Sequence, residues 1–544
     1  MFTIFKTKTF VAVSLILLTG FGIFGMYSCK KSDGLASDPY NKKVQPLIKF
    51  LDEDPSPVSG VAGAKVTFYI DGLQGKDTSS FQVFINQERA AIVSLQDTAL
   101  MVIIPQTASS GAISILIDGQ NYFGPIFQVD GYVRIDPTFS VGTGINSGGA
   151  IYDIYQNSDN TFFLTGSFNN YNGQATTTQP INDIVKISNA GAYINSTKAG
   201  TGIVGGDIAS MVYVSGQNCL GGSYNYYYNL SNINNITRIS NTGQLDTVSV
   251  NLINLDLDNH PEDDTAYLPS FNGGVNGVVN HLYYDGTGIV AIGSFYQYLD
   301  YYYLRSTKAG YVQDRYNVTQ FVRMTTDGTL DSSYNINPAT GLGYSATNGY
   351  INSSIQLSNG KIIIAGSFTS FNGAHAGHIA MLDDDGQMDA TFNAGQAGAD
   401  DMVSKVTYNP NTHKIMLIGS FKNYNGVPAA GVVMLNEDGS IDNTFHIGSF
   451  VGGSAGFAIE LSNGKVLVTG NFIGYNGVYR QGMLFLNPDG SMAEGYNNMG
   501  SFVGQVEKAY ESPTAFGTFG VILVGSFSLV DNQSVNGIVK LEVQ

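Results

Sequence analysis

Charged side chains are scarce in this sequence, and basic ones are scarcer than acidic ones. Only 13% of the 544 residues are charged, and 43 acidic against 26 basic residues give a formal net charge of −17. A surface of that sign repels phosphate backbones, and no cluster of Lys and Arg interleaved with aromatic residues follows the N-terminal segment. We therefore expect no nucleic-acid partner.

Local catalytic and cofactor motifs are also missing. The chain has no Gly-x-Ser-x-Gly elbow, no His-Glu-x-x-His pair and no phosphate-binding loop. The acidic run Asp383–Gly386 stands where other repeats carry ordinary turns, and His375 and His378 have no nearby Cys or carboxylate partner. We expect neither a metal nor a cofactor. A dispersed active site, with carboxylates converging from distant segments, stays open.

Cysteine is nearly absent, and its two occurrences differ in context. Cys219 lies in a segment where other repeats carry small or apolar residues, which predicts a buried small hydrophobe. Cys29 follows Lys6, Lys8 and an apolar run from Phe10 to about Phe24, in the order of an export signal. A different explanation is therefore needed for Cys29.

The segment ending at Cys29 resembles the lipobox of bacterial lipoproteins. That resemblance implies a signal peptide over 1–28, a lipidated Cys29, and a cell-envelope protein of the outer membrane that contacts the membrane through its lipid alone. The alternative is an ordinary signal peptide with an incidental cysteine. Residues 29–43 are polar and aperiodic, which predicts a flexible tether. The sequence does not indicate which side of the membrane it faces.

Glycine and aromatic residues are what the chain has in abundance, with 66 Gly, 33 Tyr and 31 Phe. This composition favours short strands joined by tight turns, so we predict an all-β protein. The length predicts at least two domains.

Residues 44–130 carry short alternating apolar runs bounded by Gly, Asp, Asn or Pro, as in an antiparallel sandwich. The segment resembles the IPT/TIG type of immunoglobulin-like domain, which implies a spacer or interaction module.

A recurring block dominates residues 131–544. An apolar strand ends in Gly-Ser-Phe or a close variant, often followed by an aromatic-Asn-Gly turn, a third strand, and Asp-x-Thr-Phe. The best copy, Ile351–Phe392, predicts four strands joined by hairpins, the pattern of one propeller blade. Seven copies place the first glycine of the block at Gly166, Gly222, Gly293, Gly366, Gly419, Gly470 and Gly525.

The last copy stops after its third strand, and the missing fourth strand has a counterpart at the other end of the segment. Ile135–Phe139 matches Ile441–Phe445, so we predict that residues 132–139 complete the last blade. The blocks resemble the delta-60 family of propeller repeats, whose function is largely unassigned. The predicted architecture is thus an Ig-like sandwich followed by a seven-bladed β-propeller closed by an N-terminal strand.

Two repeats depart from the template through long, tyrosine-rich connections and the polar insertion Asn251–Gly274. Connections of such length tend to be functional, and strand topology predicts that all three emerge on one side of the ring. Tyrosine rings suit sugar rings or a protein partner, although such runs can also simply cover strand edges. The candidate ligand-binding residues are Tyr226, Tyr227, Tyr228, Tyr296, Tyr298, Asp300, Tyr301, Tyr302, Tyr303 and Arg305.

The leading hypothesis is a non-enzymatic binding module for an oligosaccharide or an envelope protein. The first alternative is a glycan-active hydrolase or lyase with carboxylates near the propeller axis. The second alternative is a structural scaffold in an envelope complex.

Overall fold

The computed structural model describes residues 48–195, 199, 202–203, 205–255 and 264–544. Every regular element in these residues is a β-strand or a short 3-10 turn, which confirms the all-β class. The predicted export segment, Cys29 and the tether lie outside the described residues, as does part of the insertion after Asn251. No helix in the described ranges is long and apolar enough to cross a membrane.

The first eight strands surround a single apolar core. The long strand β5 contains a bulge and pairs on one edge with β6 and on the other with β4. The strand order is β1-β3-β6-β5-β4-β7-β8-β2. The strands are β1 Lys49–Phe50, β2 Ser59–Val61, β3 Lys65–Asp71, β4 Phe81–Ile85, β5 Glu88–Gln96, β6 Ala99–Ile103, β7 Gly111–Ile117 and β8 Gln120–Asp130.

Alternation explains how this core forms. Val66, Phe68 and Ile70 of β3 are buried, while the residues between them are more exposed, as expected for a half-buried strand. Gly124-Pro125 interrupts the apolar alternation of strand β8. Pro125 falls where the β7–β8 register shifts, a position that tolerates the missing N–H.

In the rest of the chain, nine sheets have three or more strands within the described residues, and seven of these nine contain the repeated block. The first two sheets follow β9, Val133–Ile135. Sheet one consists of β10 Ala150–Gln156, β11 Phe162–Ser167 and β12 Ile184–Ile187. Sheet two consists of β13 Asp207–Val214, β14 Gln217–Ser223 and β15 Ile236–Ile239.

Sheet three is surrounded by additional strands. Its own strands are β19 Val278–Tyr284, β20 Ile289–Ser294 and β23 Phe321–Met324. A separate ribbon, β16 Thr247–Asn251 with β17 Thr265–Pro269, precedes it. A second small sheet combines β18 Gly273–Val275 with the hairpin β21 Gln297–Tyr301 and β22 Gln313–Asn317.

Sheets four to six are compact and alike, with a short hairpin between the second and third strand of each. A two-stranded pair, β24 Ile336–Asn337 with β25 Leu342–Gly343, precedes them. Sheet four has β26 Ile351–Gln356, β27 Ile362–Gly366 and β30 Ile379–Leu382, with hairpin β28 Ser370–Phe371 and β29 Ala374–His375. Sheet five has β31 Val403–Asn409, β32 Lys414–Gly419 and β35 Val432–Leu435, with β33 Asn423–Tyr424 and β34 Val427–Pro428.

Sheet six repeats the pattern and sheet seven closes the series. Sheet six has β37 Ala455–Glu460, β38 Val466–Gly470 and β41 Met483–Leu486, with β36 Phe450–Val451, β39 Gly474–Tyr475 and β40 Val478–Tyr479 beside it. Sheet seven has β42 Val503–Glu511, β43 Gly520–Val530 and β45 Ile538–Val543, with β44 Gln533–Ser534 paired to β43.

The middle strand of each sheet packs against both neighbouring sheets. In β27, Ile362 and Ile364 contact sheet three, whereas Ile363 and Ala365 contact sheet five. Burial on both faces explains why these strands are continuous apolar runs in the sequence. A shared core lies between every consecutive pair of sheets, and another joins sheet seven to sheet one, so the series forms a ring.

Cys219 lies within the core shared by sheets two and three. Its side chain is fully buried, and burial raises the pKa of its thiol to about 12. The thiol is therefore protonated at neutral pH and packs as a small apolar group, in the manner predicted from its repeat position.

The last strand of the ring pairs with a strand from its beginning. Val543 pairs with Val133 in an antiparallel ladder, and Arg134 Nε donates to Glu542 Oε2 at 2.6 Å. In the other six sheets the outermost strand is reduced to a single bridging residue, such as Met388 opposite Leu382. The fourth strand predicted at the end of the copy Ile351–Phe392 is thus absent as a full strand: Asp389 Oδ1 accepts from Thr391 N at 2.8 Å and bends the chain.

Candidate functional site

The glycine that opens each repeated block lies at a close approach between two strands. In sheet four an ideal Cβ on Gly366 would lie 1.9 Å from the Tyr350 carbonyl oxygen, which no side chain permits. The reason is a β-bulge in the inner strand directly opposite. The same bulge recurs opposite Gly166, Gly222, Gly293, Gly366, Gly419, Gly470 and Gly525.

These bulges determine which side chains face the middle of the ring, since a bulge redirects the residues around it. The inner strands of all seven sheets line an axial channel with a volume of about 360 Å³. The residue that resumes pairing after each bulge differs from sheet to sheet. In chain order these residues are Asp153, Ser210, His281, Ser353, Lys405, Phe457 and Lys508.

The channel contains two ion pairs. Asp153 is buried, and its Oδ1 accepts from Lys508 Nζ while its Oδ2 accepts from Met211 N at 2.9 Å. Lys405 Nζ donates to Glu507 Oε2 at 2.9 Å. The channel therefore brings together carboxylates from sheets one and seven, each neutralised by a lysine. Sequence reasoning left converging carboxylates open as an alternative and did not identify these two.

His281 lines the same channel. Its ring stacks on Tyr283 at 6.1 Å between centroids, and neither ring nitrogen has a hydrogen-bond partner within the described residues. Desolvation lowers the pKa of His281 to about 3, and the charges of Lys405 and Lys508 act in the same direction. The imidazole is consequently neutral at physiological pH, with one donor and one acceptor free in the channel.

Three of the predicted ligand-binding tyrosines are buried, which corrects that part of the prediction. Tyr227 and Tyr298 are fully buried, and their hydroxyls donate to Gly243 O at 2.7 Å and Gly328 O at 2.6 Å. They occupy the position of Tyr424, whose hydroxyl donates to a turn glycine in sheet five. Tyr303 is 7% exposed and packs in a satellite core. These three rings belong to the scaffold.

Other predicted residues are accessible. Tyr228, Tyr296 and Tyr302 are 46%, 67% and 43% exposed. The guanidinium of Arg305, also exposed, lies 5.0 Å from the Tyr302 ring centroid, which restricts that ring. Tyr316, absent from the predicted set, is 47% exposed and pairs with Tyr298 across the β21–β22 hairpin.

The remaining predicted residues are half-buried. Tyr226 lies next to the buried Tyr227, and Tyr301 stacks on Tyr303 at 6.0 Å between centroids. Burial raises the pKa of Asp300 to about 6, and the charges of Asp314 and Asp327 add to this effect. Asp300 is therefore partly protonated at mildly acidic pH.

The three long connections contact one another. Val275 N donates to Asn234 O at 2.8 Å, which joins the connection of sheet two to β18. Strand β18 in turn pairs with β21 from the connection of sheet three. The β16–β17 ribbon packs on Tyr301 and Tyr303. We call this assembly the ribbon surface; its exposed side chains include Tyr228, Tyr296, Tyr302, Arg305 and Tyr316.

Metal ligands do not cluster in the ranges that the structure describes. The acidic run of sheet four is a turn in which Asp383 Oδ1 accepts from Asp385 N and Gln387 N. His375 and His378 contact the carbonyls of Ala397 and Gly366 respectively.

The ring of bulged sheets defines a β-propeller, and comparison with known proteins supports this class. Residues 357–392, 414–445 and 461–492 match the model described as "Domain of unknown function (DUF5122) beta-propeller". Residues 26–125 match a second domain of unknown function, DUF5008. No curated protein matches the chain.

Several solved structures are similar to the chain at low identity. A Bacteroides thetaiotaomicron protein of unknown function is 12% identical, with 94% of this chain and 100% of that chain covered and a TM-score of 0.25. The WD40 β-propeller domain of Doa1 is 11% identical, covering 76% and 97%, with a TM-score of 0.38. An auxiliary nutrient binding protein from B. thetaiotaomicron is 14% identical, covering 67% and 94%, with a TM-score of 0.20.

Proposed function

We propose that this protein is a binding module of the cell envelope and that the ribbon surface is its binding site. Each sheet of the ring is one blade of a seven-bladed propeller, and the N-terminal sandwich is an IPT/TIG-like module. Cys29 carries a lipid that anchors the chain at the outer membrane. Catalysis is not part of this function.

The proposal rests on the exposure of tyrosine rings whose neighbours in the chain are buried and hydrogen-bonded. Tyr296 and Tyr302 expose 67% and 43% of their surface, while the neighbouring Tyr298 is buried and hydrogen-bonded. Exposed aromatic groups held on a fixed backbone lose little conformational entropy when a ligand binds. Exposed tyrosine rings are enriched at interaction sites.

An oligosaccharide fits this surface best. Tyrosine rings pack against the apolar faces of sugars, and their hydroxyls hydrogen-bond at the edge. Arg305 adds five donors beside the Tyr302 ring. A protein partner would use the same residues, so the experiment includes both classes of ligand.

Glycan-array binding of the unsubstituted chain tests the proposal directly. Tyr296→Ala combined with Tyr302→Ala should weaken binding about tenfold or more, since each ring contributes on the order of 1 kcal/mol. The matched control is Tyr350→Ala, which removes a tyrosine that is 73% exposed next to sheet four, outside the ribbon surface. Equal loss in the control, or no loss in the double variant, would contradict the assignment.

The anchor requires a separate experiment. Cys29→Ser should release the protein from the membrane fraction and abolish the mass increase of a diacyl group on the mature N-terminus. Membrane association that persists in this variant would remove lipidation from the proposal and leave the ribbon surface unaffected.

A second candidate function is glycan cleavage in the axial channel, and the presence of Asp153 and Glu507 there favours it. Release of reducing sugars by the intact chain, abolished by Asp153→Asn or Glu507→Gln, would replace the binding-only proposal. The scaffold alternative predicts envelope proteins that co-purify with the chain and do so equally well with the tyrosine variants.

A further inference from the structure

A further cavity is separate from both the axial channel and the ribbon surface. It lies where the N-terminal sandwich meets sheets six and seven, has a volume of about 710 Å³, and combines an apolar wall including Val61, Val129 and Met492 with amide side chains such as Asn498. Ligand sites are commonly found at domain junctions, with volumes of roughly 300–1,000 Å³. We call it the junction cavity.

The walls of the junction cavity are fixed relative to each other. Ser110 N and Oγ both donate to Asn498 O, at 2.8 and 2.9 Å, and Asn498 Nδ2 donates to the carbonyls of Val129 and Val133. Tyr479 N donates to Glu88 Oε1 at 2.9 Å. Such a preformed cavity needs little ordering when a ligand enters.

One side chain in this cavity breaks the pattern of the repeats. Arg480 N donates to Ile473 O after the hairpin of sheet six, whereas in sheets four and five the same backbone bond is made by Ala376 and Ala429. The arginine therefore stands at a position that sheets four and five fill with a small buried residue. Packing of the sheet alone does not require it.

Arg480 is only 3% exposed and forms no ion pair within the described residues. Its Nη1 donates to Thr107 O at 2.9 Å and Tyr479 O at 2.6 Å. Its Nε is buried without an acceptor, and Nη2 has none in the described residues. The edge formed by Nε and Nη2 is the one that can bind a carboxylate through two parallel hydrogen bonds.

The electrostatics of the side chain favour an anionic ligand. Burial lowers the pKa of Arg480 to about 10, against a smaller opposing effect of Glu88. Glu88 is already engaged, since its second oxygen accepts from Thr107 Oγ1 at 2.9 Å. A buried cation without a counter-ion is unfavourable, and an anionic ligand would remove that cost.

We propose that the junction cavity binds a small organic molecule through a carboxylate, which pairs with the Nε–Nη2 edge of Arg480. The apolar wall contacts the carbon skeleton, and the exposed ring of Tyr132 covers its outer part. Asp130 and Glu494 also line the cavity, but both are exposed at its mouth, where solvent screens them. They favour ligands that carry hydroxyl or amide groups at the end away from the carboxylate.

The test is calorimetric titration of the full chain with two carboxylates from different sources, D-glucuronate and N-acetyl-L-alanine. Each is compared with its neutral amide. We expect at least one acid to bind and its amide to bind about tenfold more weakly, as for loss of a charged hydrogen-bonded pair. The acid that binds identifies the ligand as a sugar acid or an acyl amino acid.

Arg480→Ala should abolish this preference for the acid, and the alanines of sheets four and five indicate that the fold accepts the substitution. The matched control is Arg89→Met, which removes one exposed positive charge from the sandwich and should change affinity less than about twofold. If Arg480→Ala fails to fold, the acid-to-amide comparison on the unsubstituted chain decides.

Several outcomes would overturn the proposal. These are equal binding of acid and amide, binding of neither acid, equal binding of inorganic phosphate, or retained preference in folded Arg480→Ala. Tyr296→Ala with Tyr302→Ala should leave the junction cavity unaffected. Failure of this inference is therefore distinguishable from failure of the ribbon surface.

Discussion

Sheets two and three and sheets four to six share the same arrangement of strands, which we call the frame. They differ in the segments that connect these strands. In sheet five, Val427 follows Tyr424-Asn425-Gly426 directly, so the second and third strands are joined by a short hairpin. In sheet three the corresponding connection extends into β21, β22 and a 3-10 turn. Both groups nevertheless contain the same bulge, the same glycine opposite it, and a buried tyrosine bonded to a turn glycine.

This comparison separates residues that build the ring from residues free to acquire a function. The repeated residues satisfy steric and hydrogen-bonding requirements that every sheet has. Residues that vary, such as those after each bulge and those on the long connections, are not determined by the frame. A tyrosine-rich run consequently contains residues of both kinds. Only the structure shows that Tyr298 is buried in the ring whereas Tyr296 is exposed.

The largest expected effect concerns the glycine opposite the bulge. Gly366→Ala and Gly293→Ala should each cost about 5 kcal/mol or prevent folding, because the new Cβ would lie 1.9 Å from Tyr350 O or 2.0 Å from Val278 O. Urea unfolding measures the loss. The control Gly373→Ala, with open space around the Cβ and a φ of +82°, should cost about 1 kcal/mol. A small loss at Gly293 alone would show that the two groups of sheets do not share the frame.

A pH-dependent effect extends the comparison to sheet one. Asp183 Oδ1 accepts from Phe168 N at 2.8 Å, in the role that the neutral Asn235 performs for Tyr224 N in sheet two. Burial raises the pKa of Asp183 from 3.8 to about 7, so the folded state binds the extra proton and loses stability as the pH rises through this window.

Asp183→Asn should therefore become more stable relative to the parent by up to about 1.4 kcal/mol per pH unit between pH 4 and 7, with no further change above that range. Urea unfolding at a series of pH values measures this. For Asp159, whose pKa is lowered to about 2 mainly by a hydrogen bond from Thr161, the Asp159→Asn difference should stay constant over the same range. A flat difference for Asp183→Asn would contradict the prediction.

A smaller effect tests the buried tyrosines. Tyr298→Phe and Tyr424→Phe each remove a hydroxyl that donates to a glycine carbonyl, and each should cost about 1 kcal/mol in thermal or urea unfolding. Similar losses would assign Tyr298 to the frame. Weakened glycan binding by Tyr298→Phe at unchanged stability would instead return it to the ribbon surface.

The smallest effect is expected on the ribbon surface itself. Tyr296→Ala and Tyr316→Ala remove exposed rings and should each change the free energy of unfolding by less than about 0.5 kcal/mol. A loss several times larger would mean that these rings support the scaffold, and the distinction between frame and connections would fail in this part of the molecule.

The sequence alone was enough to predict the elements that depend on interactions between residues close together in the chain. Apolar alternation and Asn-Gly turns predicted the all-β class and hairpins such as the one at Asn425-Gly426, where both residues have a positive φ. The repeated glycine was recognised as a signal, but its cause, a bulge on another strand, is a tertiary contact. The burial of Tyr227 and Tyr298 was missed for a related reason: each hydroxyl bonds to a glycine carbonyl in a later turn of the chain.

The candidate sites beyond the tyrosines were less accessible to sequence reasoning. Asp153, His281 and Lys508 come from three sheets, and no short motif joins them. Arg480 is conspicuous only after its position is aligned with Ala376 and Ala429 through the backbone bond that all three make. The junction cavity depends on two segments far apart in the chain, which composition and periodicity do not reveal.

The pairing of β9 with β45 has a consequence for biosynthesis. Arg134 and Glu542 are 408 residues apart, so a ribosome must deliver nearly all of this chain before the two edges can meet. Until then each nascent molecule presents unpaired strand edges that can associate with other chains. Translation that stops early would therefore yield open arcs, and we expect these products to depend on chaperones far more than the finished protein does.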